Sequence, residues 1–265
     1  MKSRAAAPFA REQRRNRPQP MPESLILLPG LLNDERLWAH QMAQLADLAE
    51  IQVADLVGPD TIGAMAERVL VTRPGPFALA GLSMGGYVAF EVMRRAPERV
   101  SRLALLDTSA RPDTPEQSAR RRGLIELARK GRFLGVTPRL LPQLLHPDHV
   151  RDRTIANTVV QMARSVGREG FIAQQRAIMA RPDSRPDLAR IKCPTLVLGG
   201  QQDAITPPEV LHEIAAGIAG AELRLIDHCG HLAPLEQPEA VTAALADWLR
   251  AGRGSRDRDR AASPG

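Results

Sequence analysis

A serine between glycines is the residue of this chain best suited to covalent chemistry. The segment 81–86 reads Gly-Leu-Ser-Met-Gly-Gly and fits the pattern Gly-x-Ser-x-Gly, in which the serine stands on a sharp turn from a strand into a helix. An apolar run at 77–80 predicts a short buried strand before the turn, and residues 87–95 favour a helix after it. We therefore predict that Ser83 is a nucleophile at a helix N-terminus, where backbone N–H groups favour negative charge. The alternative is a glycine-rich turn whose serine only caps the helix.

A serine hydroxyl needs a general base to remove its proton and an acid to orient that base. Both groups occur later in the chain, each after a predicted strand: Asp203 follows the strand 195–198, and His231 follows the strand 223–226. Because open α/β sheets bind ligands at the carboxyl ends of their strands, these side chains are expected to meet Ser83 there. The sequence thus predicts a triad of serine, histidine and aspartate.

Other titratable residues remain open as alternatives. His228 lies close enough to His231 in sequence to serve as the base instead, and Asp107, which also ends a predicted strand, could serve as the acid. His146 and His149 fall in a helical region. Since no cysteine or carboxylate stands beside them at the expected ligand spacing, they are not expected to form a metal pair.

The elements that must hold these residues follow from the apolar pattern. Near-continuous apolar runs predict six strands, at 24–28, 51–56, 77–81, 103–106, 195–198 and 223–226. Helical patterns lie between most of them, at 36–49, 61–72, 87–95, 207–216 and from 232 onward. This alternation is typical of a doubly wound, mostly parallel sheet with helices on both faces.

The alternation stops after the fourth strand, where a helical cap is predicted at 111–186. Thr114 and Gln117 form a capping box that begins one helix. A second helix is expected to open at Thr137, a third to be capped by Asp148, and a fourth to cover 169–180. The cap should lie over the carboxyl edge of the sheet, where such sheets bind ligands.

Composition and charge limit the remaining possibilities. The chain has 265 residues, 43% of them hydrophobic, and a net charge of +6 that lies mainly in two end segments, 1–22 and 251–265. These segments are predicted to be disordered tails, which leaves 23–110 and 187–250 as the α/β core. The core carries little net charge, so no nucleic-acid partner is expected. No apolar run is long enough to span a membrane, and two cysteines make no disulfide framework, so a cytoplasmic location is expected.

Four segments, taken in order, resemble the α/β-hydrolase superfamily, and most closely its small lidded esterases and lactonases. They are Leu28 to Leu31, Gly81 to Gly86, Gly199 to Pro207 and Cys229 to Pro238. The likeness covers roughly residues 23–250, and its last segment implies that His231 is the catalytic histidine. It also implies an oxyanion hole made by the backbone N–H groups of Leu31 and Met84, with no metal and no organic cofactor. The superfamily often carries histidine before the glycine of the first segment, where this chain has Pro29.

The resemblance implies a serine hydrolase that acts on a small or medium carboxylic ester or lactone. Other chemistry on the same fold stays open: enol-lactone opening, C–C hydrolysis, perhydrolysis or a lyase reaction. A ligand receptor that keeps the triad but turns over slowly is an alternative of a different class. The sequence does not indicate the natural substrate or the oligomeric state.

Overall fold

Six parallel strands form a single sheet, as the sequence predicts. The computed structural model describes residues 23–251, so the predicted tail 1–22 and all but the first residue of the predicted tail 251–265 lie outside the described residues. The strands are β1 Glu23–Leu28, β2 Ala49–Val53, β3 Phe77–Leu82, β4 Val100–Leu106, β5 Thr195–Gly200 and β6 Glu222–Ile226, in the spatial order β2-β1-β3-β4-β5-β6.

Nine α-helices lie within residues 23–251. They are α1 Ala39–Gln44, α2 Ile62–Thr72, α3 Met84–Arg95, α4 Pro115–Leu127, α5 Leu141–Leu144, α6 Arg153–Met179, α7 Pro208–Gly217, α8 Ala233–Glu236 and α9 Pro238–Arg250. Short 3-10 turns cover Glu35–Trp38, Pro97–Arg99 and Arg185–Arg190, and a π turn covers Ala128–Arg132. In this part of the chain, no helix has the length and apolar character that a membrane crossing requires.

Alternate residues of each central strand enter separate cores on the two faces of the sheet. In β1, Leu25 and Leu27 belong to one buried cluster, whereas Ile26 and Leu28 belong to the other. This follows from the strand geometry, in which successive side chains point to opposite faces. A strand with helices on both sides must be apolar at every position, which explains why its sequence is a continuous apolar run.

The carboxyl ends of β1 and β3 form the switch point of the sheet. Although β1 comes first in the chain, it lies inside the sheet between β2 and β3. The chain builds outward from it in both directions, and open α/β sheets bind ligands where the strand order reverses in this way. The register pairs Leu28 with Gly81, so the loops that follow β1 and β3 start side by side.

The helical segment between β4 and β5, which we call the cap, begins as predicted and then differs in detail. Thr114 and Gln117 form the capping box at the start of α4. Residues 138–140 form a turn, and the next helix, α5, begins at Leu141. The prediction of a helix that opens at Thr137 is therefore wrong. The third and fourth predicted helices are one long helix, α6, with a break at Gly167, where φ is 70°. Asp152, rather than Asp148, caps that helix by accepting two backbone N–H groups.

A buried ion network ties the two ends of the cap together. The carboxylate of Asp113, near the start of the cap, lies 2.7 Å from Arg121 Nε and 2.5 Å from Arg181 Nη1. Its side chain is only 1% exposed, and that of Arg181, near the end of the cap, is 6% exposed. The Arg181 guanidinium also stacks over the ring of Tyr87 in α3, at 4.2 Å from the ring centroid. The cap is thereby attached to the helix that follows Ser83.

Replacing Asp113 by asparagine should weaken this attachment, because it leaves the buried guanidinium of Arg181 beside a neutral amide. We expect the free energy of unfolding to fall by about 3–5 kcal/mol, the usual cost of an unpaired buried charge. Urea unfolding followed by circular dichroism measures the loss. The matched control is Asp183→Asn, which removes an exposed pair with Arg185 and should cost less than about 1 kcal/mol. Equal losses in the two variants would contradict the assignment.

Candidate active site

Ser83 stands on the turn between β3 and α3, in the strained conformation that the glycine pattern predicts. Its φ is 53° and its ψ is −113°, in a region that residues with a Cβ rarely adopt. Two contacts hold its peptide groups: the Ser83 N–H donates to the Leu106 carbonyl at 2.9 Å, and the Thr108 hydroxyl donates to the Ser83 carbonyl at 2.7 Å. The serine is therefore fixed from β4 as well as from its own turn.

The glycines around Ser83 are required by the close approach of the backbone. A Cβ on Gly81 would lie 2.4 Å from the carbonyl oxygen of Gly85, and a Cβ on Gly85 would lie 2.3 Å from the carbonyl oxygen of Leu28. These neighbours are backbone atoms of the helix α3 and of the central strand β1, so they have little freedom to move. The spacing Gly-x-Ser-x-Gly is therefore a consequence of packing the turn against the end of β1.

The structure brings Ser83, His231 and Asp203 together in one hydrogen-bonded chain. His231 Nε2 lies 2.9 Å from Ser83 Oγ, and His231 Nδ1 lies 2.7 Å from Asp203 Oδ2. His231 and Asp203 are 4% and 2% exposed. Three further donors hold the carboxylate: the N–H groups of Ile205 and Thr206 and the Thr206 hydroxyl, at 2.8, 3.0 and 2.6 Å. This arrangement can remove a proton from the serine hydroxyl and stabilise the resulting imidazolium.

The two carboxylates near the histidine differ in their ionisation. Burial by itself raises the pKa of Asp203, but the charge of His231 and the hydrogen bonds from His231 and Thr206 outweigh it and hold that pKa below its usual range. Asp107 is fully buried, and burial together with the nearby negative charge of Asp203 raises its pKa well above the usual range. Asp107 Oδ1 accepts the Gly200 N–H at 2.9 Å. The imidazole of His231 is therefore hydrogen-bonded to Asp203, whereas Asp107 is bonded to the backbone of Gly200.

His228, the alternative base, points away from the serine. Its side chain is 70% exposed, and its Nδ1 lies 3.0 Å from Asp148 Oδ2 in the cap. The neighbouring Cys229 is buried and free, and burial together with nearby carboxylates raises the pKa of its thiol, which disfavours a thiolate nucleophile.

The loop after β1 lies against the serine turn, as the sheet register requires. Leu31 follows Gly30 in this loop, and Met84 is the first residue of α3. Within residues 23–251, neither of their N–H groups has a hydrogen-bond acceptor. The adjacent Leu32 has a φ of 60°, and its N–H donates to Oε1 of Gln174 in α6 at 3.0 Å. A buried cap residue therefore holds this loop in shape.

Glu236 connects the loop that carries His231 to the cap. Its side chain is fully buried, and its Oε1 accepts the N–H groups of Gly230 and Leu232, on either side of the histidine, at 3.1 Å each. Its Oε2 accepts the His146 N–H at 2.6 Å and lies 3.1 Å from His149 Nδ1. One carboxylate thus fixes the backbone around the imidazole and joins it to the cap.

Sequence reasoning did not identify Gln174 or Glu236 as site residues. Glu236 stands in the segment that resembles the superfamily, which was the one available signal, but the pattern gave no role for it. Gln174 lies in an ordinary helical stretch, 142 positions from the N–H that it accepts. Nothing in the local sequence around it indicates this contact.

Comparisons with known proteins agree with the fold and with the general chemistry. A family model described as the alpha/beta hydrolase family matches residues 25–244. A pimeloyl-(acyl-carrier protein) methyl ester esterase of Nitrosomonas europaea is 27% identical over an alignment of 239 residues, which covers 83% of this chain and 93% of that protein. A solved structure of a thermophilic esterase from Thermogutta terrifontis, with malate bound, is 36% identical, with a TM-score of 0.79 over 87% of this chain and 90% of that one. The enol-lactonase from Burkholderia xenovorans LB400 is 27% identical, with a TM-score of 0.77 over 86% of this chain and 91% of that one.

Glu236→Gln should weaken the action of His231 as a general base, although Glu236 binds the backbone on either side of the histidine and not its imidazole. The amide replaces one carboxylate oxygen with an NH₂ group, so one pair of N–H donors loses its acceptor and the histidine backbone can shift. We expect labelling of the serine by a fluorophosphonate to slow by on the order of a hundredfold, since displacements of about 1 Å cost that much. The matched control is Glu239→Gln, which changes an exposed carboxylate in the first turn of α9. Equal labelling rates in the two variants would rule out this role.

Proposed function

The chain belongs to the alpha/beta hydrolase family and is a hydrolase, and we propose that it cleaves small or medium carboxylic esters through a covalent acyl-enzyme. The observation that carries the proposal is the hydrogen-bonded chain from Ser83 through His231 to Asp203. A buried imidazole within 2.9 Å of a serine hydroxyl is a general base in position. A buried aspartate on its other nitrogen fixes the tautomer that leaves Nε2 free to accept the proton.

The first half-reaction forms the acyl-enzyme. Ser83 Oγ attacks the ester carbonyl carbon while its proton passes to His231 Nε2. The carbonyl oxygen becomes an oxyanion, and Asp203 stabilises the imidazolium that has formed. When the tetrahedral intermediate collapses, the bond from carbon to the alcohol oxygen breaks. His231 then returns the proton to that oxygen, and the alcohol leaves.

The second half-reaction repeats these steps with water. His231 takes a proton from a water molecule as the water oxygen attacks the acyl carbon. The intermediate then collapses with cleavage of the bond to Ser83 Oγ, which recovers the proton from the imidazole. The products are one carboxylic acid and one alcohol, and the enzyme returns to its starting protonation.

The oxyanion is proposed to be held by the backbone N–H groups of Leu31 and Met84. Neither group has an acceptor among the residues that the structure describes, and this, together with the side-by-side start of their two loops, supports the role. The Met84 N–H also lies at the first turn of α3, where the helix dipole favours negative charge. One such donor is typically worth about 2.7–4 kcal/mol of transition-state stabilisation. Because the donors belong to the main chain, Pro29 in place of histidine leaves them in place.

The underside of the cap suits an apolar acyl or alkyl group of limited size. The cap packs on the same buried cluster as Leu31 and Leu232, which lie in the loops beside the serine and the histidine. Its apolar contributions to that cluster are Ile125, Ala128, Val136, Leu141, Leu145, Val159, Met162, Ala163, Val166, Phe171 and Ile172. The relatives named as esterases favour the same substrate class.

Lactone opening is the second candidate, because a lactone is an internal ester and a relative of similar fold is named an enol-lactonase. The steps are the same, except that the alcohol stays attached to the acyl group. A set of open-chain esters and lactones of equal carbon number distinguishes the two by their kcat/KM values.

Ser83→Ala should abolish turnover, because it removes the hydroxyl that lies 2.9 Å from His231 Nε2 and forms the acyl-enzyme. We expect kcat to fall on the order of a millionfold, as in serine hydrolases that lose the nucleophile. Hydrolysis of a short p-nitrophenyl ester measures the rate, and mass spectrometry after fluorophosphonate treatment locates the label. The matched control is Ser118→Ala, on the cap helix α4. Labelling of the Ser83→Ala variant would refute the assignment.

Asp203→Asn should lower kcat by about ten-thousandfold with a smaller change in KM, because the amide favours the wrong imidazole tautomer. The control is Asp227→Asn, an exposed aspartate four positions before His231, which should keep its activity. Steady-state kinetics on the same ester measure both variants. A larger loss from Asp107→Asn than from Asp203→Asn would transfer the acid role to Asp107.

A further inference from the structure

Four of the six histidines of the chain lie near one another, and one of them belongs to the proposed triad. Of the other three, His146 and His149 lie in the cap, and His228 lies in the loop that leads to His231. The ring centroids of His146 and His228 are 5.3 Å apart. Asp148 stands between these two rings, although sequence reasoning found no carboxylate suited to a metal site here. The fold supplies His228, which is 80 positions away from Asp148.

The separations of Asp148 from the two histidines are close to those of metal ligands. Asp148 Oδ2 lies 3.0 Å from His228 Nδ1 and 3.4 Å from His146 Nδ1. Two ligands of a tetrahedral Zn²⁺ ion, each about 2.0–2.1 Å from the metal, are separated by about 3.3 Å. One ligand atom from each of the three residues lies within 4.8 Å of the other two. A small side-chain rotation would bring the nitrogens of His146 and His228 to the separation that one ion requires. His228 can supply it, because its side chain is 70% exposed.

The chemistry of the three groups also suits such an ion. Two imidazole nitrogens and one carboxylate oxygen are ligands that zinc prefers. His228 has a φ of 52°, a left-handed conformation that non-glycine residues adopt mainly where the surrounding structure imposes it.

We propose that His146, Asp148 and His228 bind one Zn²⁺ ion, with a fourth position open to water. This site is separate from the triad, since His231 Nε2 and Nδ1 are engaged by Ser83 and Asp203. The backbone N–H of Asp148 donates a hydrogen bond to His146 Nδ1 at 3.2 Å, and this bond must break before that nitrogen can bind zinc. The ligand bonds replace that contact.

The ion joins the cap to the loop that carries the catalytic base. Two ligands come from the cap and one from a position three residues before His231. The same two segments already meet through the His231 N–H, which donates to the Leu144 carbonyl at 2.9 Å. Zinc therefore stabilises the contact between cap and loop, and the folded state gains stability by mass action as zinc is added.

Titration of the full-length chain, without a histidine tag and after treatment with a chelator, tests the proposal. Isothermal titration calorimetry with ZnCl₂ should show one ion per chain with a micromolar dissociation constant, and the melting temperature should rise with zinc concentration. His228→Ala and Asp148→Ala should each weaken binding by at least about tenfold, which is the smallest loss usual even for groups that only support a ligand. Both side chains are more than half exposed, so both variants should melt like the parent in the presence of chelator.

The matched control is His212→Ala, an exposed histidine on α7, which should bind zinc as the parent does. Co²⁺ provides a second readout, because four-coordinate Co²⁺ gives intense visible bands that should disappear with His228→Ala. Binding that persists in both His228→Ala and Asp148→Ala would overturn the proposal. So would the absence of saturable binding by the parent at millimolar zinc. Neither result bears on Ser83, whose role is measured by ester turnover and labelling.

Discussion

The contact between the end of β1 and the first turn of α3 is the constraint on which the site depends. The Leu28 carbonyl oxygen approaches Gly85 so closely that a methyl group there would overlap it. This approach forces the chain to turn within one residue, which places Ser83 at a positive φ. Since β1 and β3 are neighbours at the switch point of the sheet, the same contact brings the loop after β1 beside the serine. The strain in the turn is balanced by the packing of two central strands.

The position of His231 depends on a different set of contacts, which include the cap. Its loop is held by Glu236 on both sides of the imidazole and by the Leu144 carbonyl from the cap. A Cβ on Gly230 would lie 2.7 Å from the backbone nitrogen of His146, so the loop that carries His231 is in direct contact with the cap. The nucleophile is therefore fixed by the sheet, whereas the base is fixed partly by the cap. A movement of the cap would alter the geometry of the base more than that of the serine.

Features that depend on local sequence could be predicted, and features that depend on packing could not. The six strands follow from near-continuous apolar runs, and the serine turn follows from glycine spacing. The strands were predicted to within about three residues of their observed bounds, although β2, predicted at 51–56, lies at Ala49–Val53. In the cap, Thr137 and Asp148 have the residue types of helix starts, but the chain uses Leu141 and Asp152 instead. Sequence offered several suitable caps for one helix, and tertiary contacts select among them. The contacts of Gln174 and Glu236 join distant segments and leave no local pattern.

The pairing of His231 with Asp203 rather than Asp107 has an electrostatic explanation. Both aspartates end strands and both are buried, so residue type and position do not separate them. Asp203 accepts two backbone N–H groups, a hydroxyl and the imidazole, and these donors favour its ionised form. Asp107 accepts the Gly200 N–H on one oxygen, and its other oxygen has no hydrogen-bond partner within residues 23–251. With Asp203 ionised close by, a second negative charge is disfavoured, so Asp107 holds its proton to higher pH. The opposite pKa shifts of the two aspartates therefore favour Asp203 as the ionised partner of His231, and its carboxylate can orient the ring and stabilise the charged form of the imidazole.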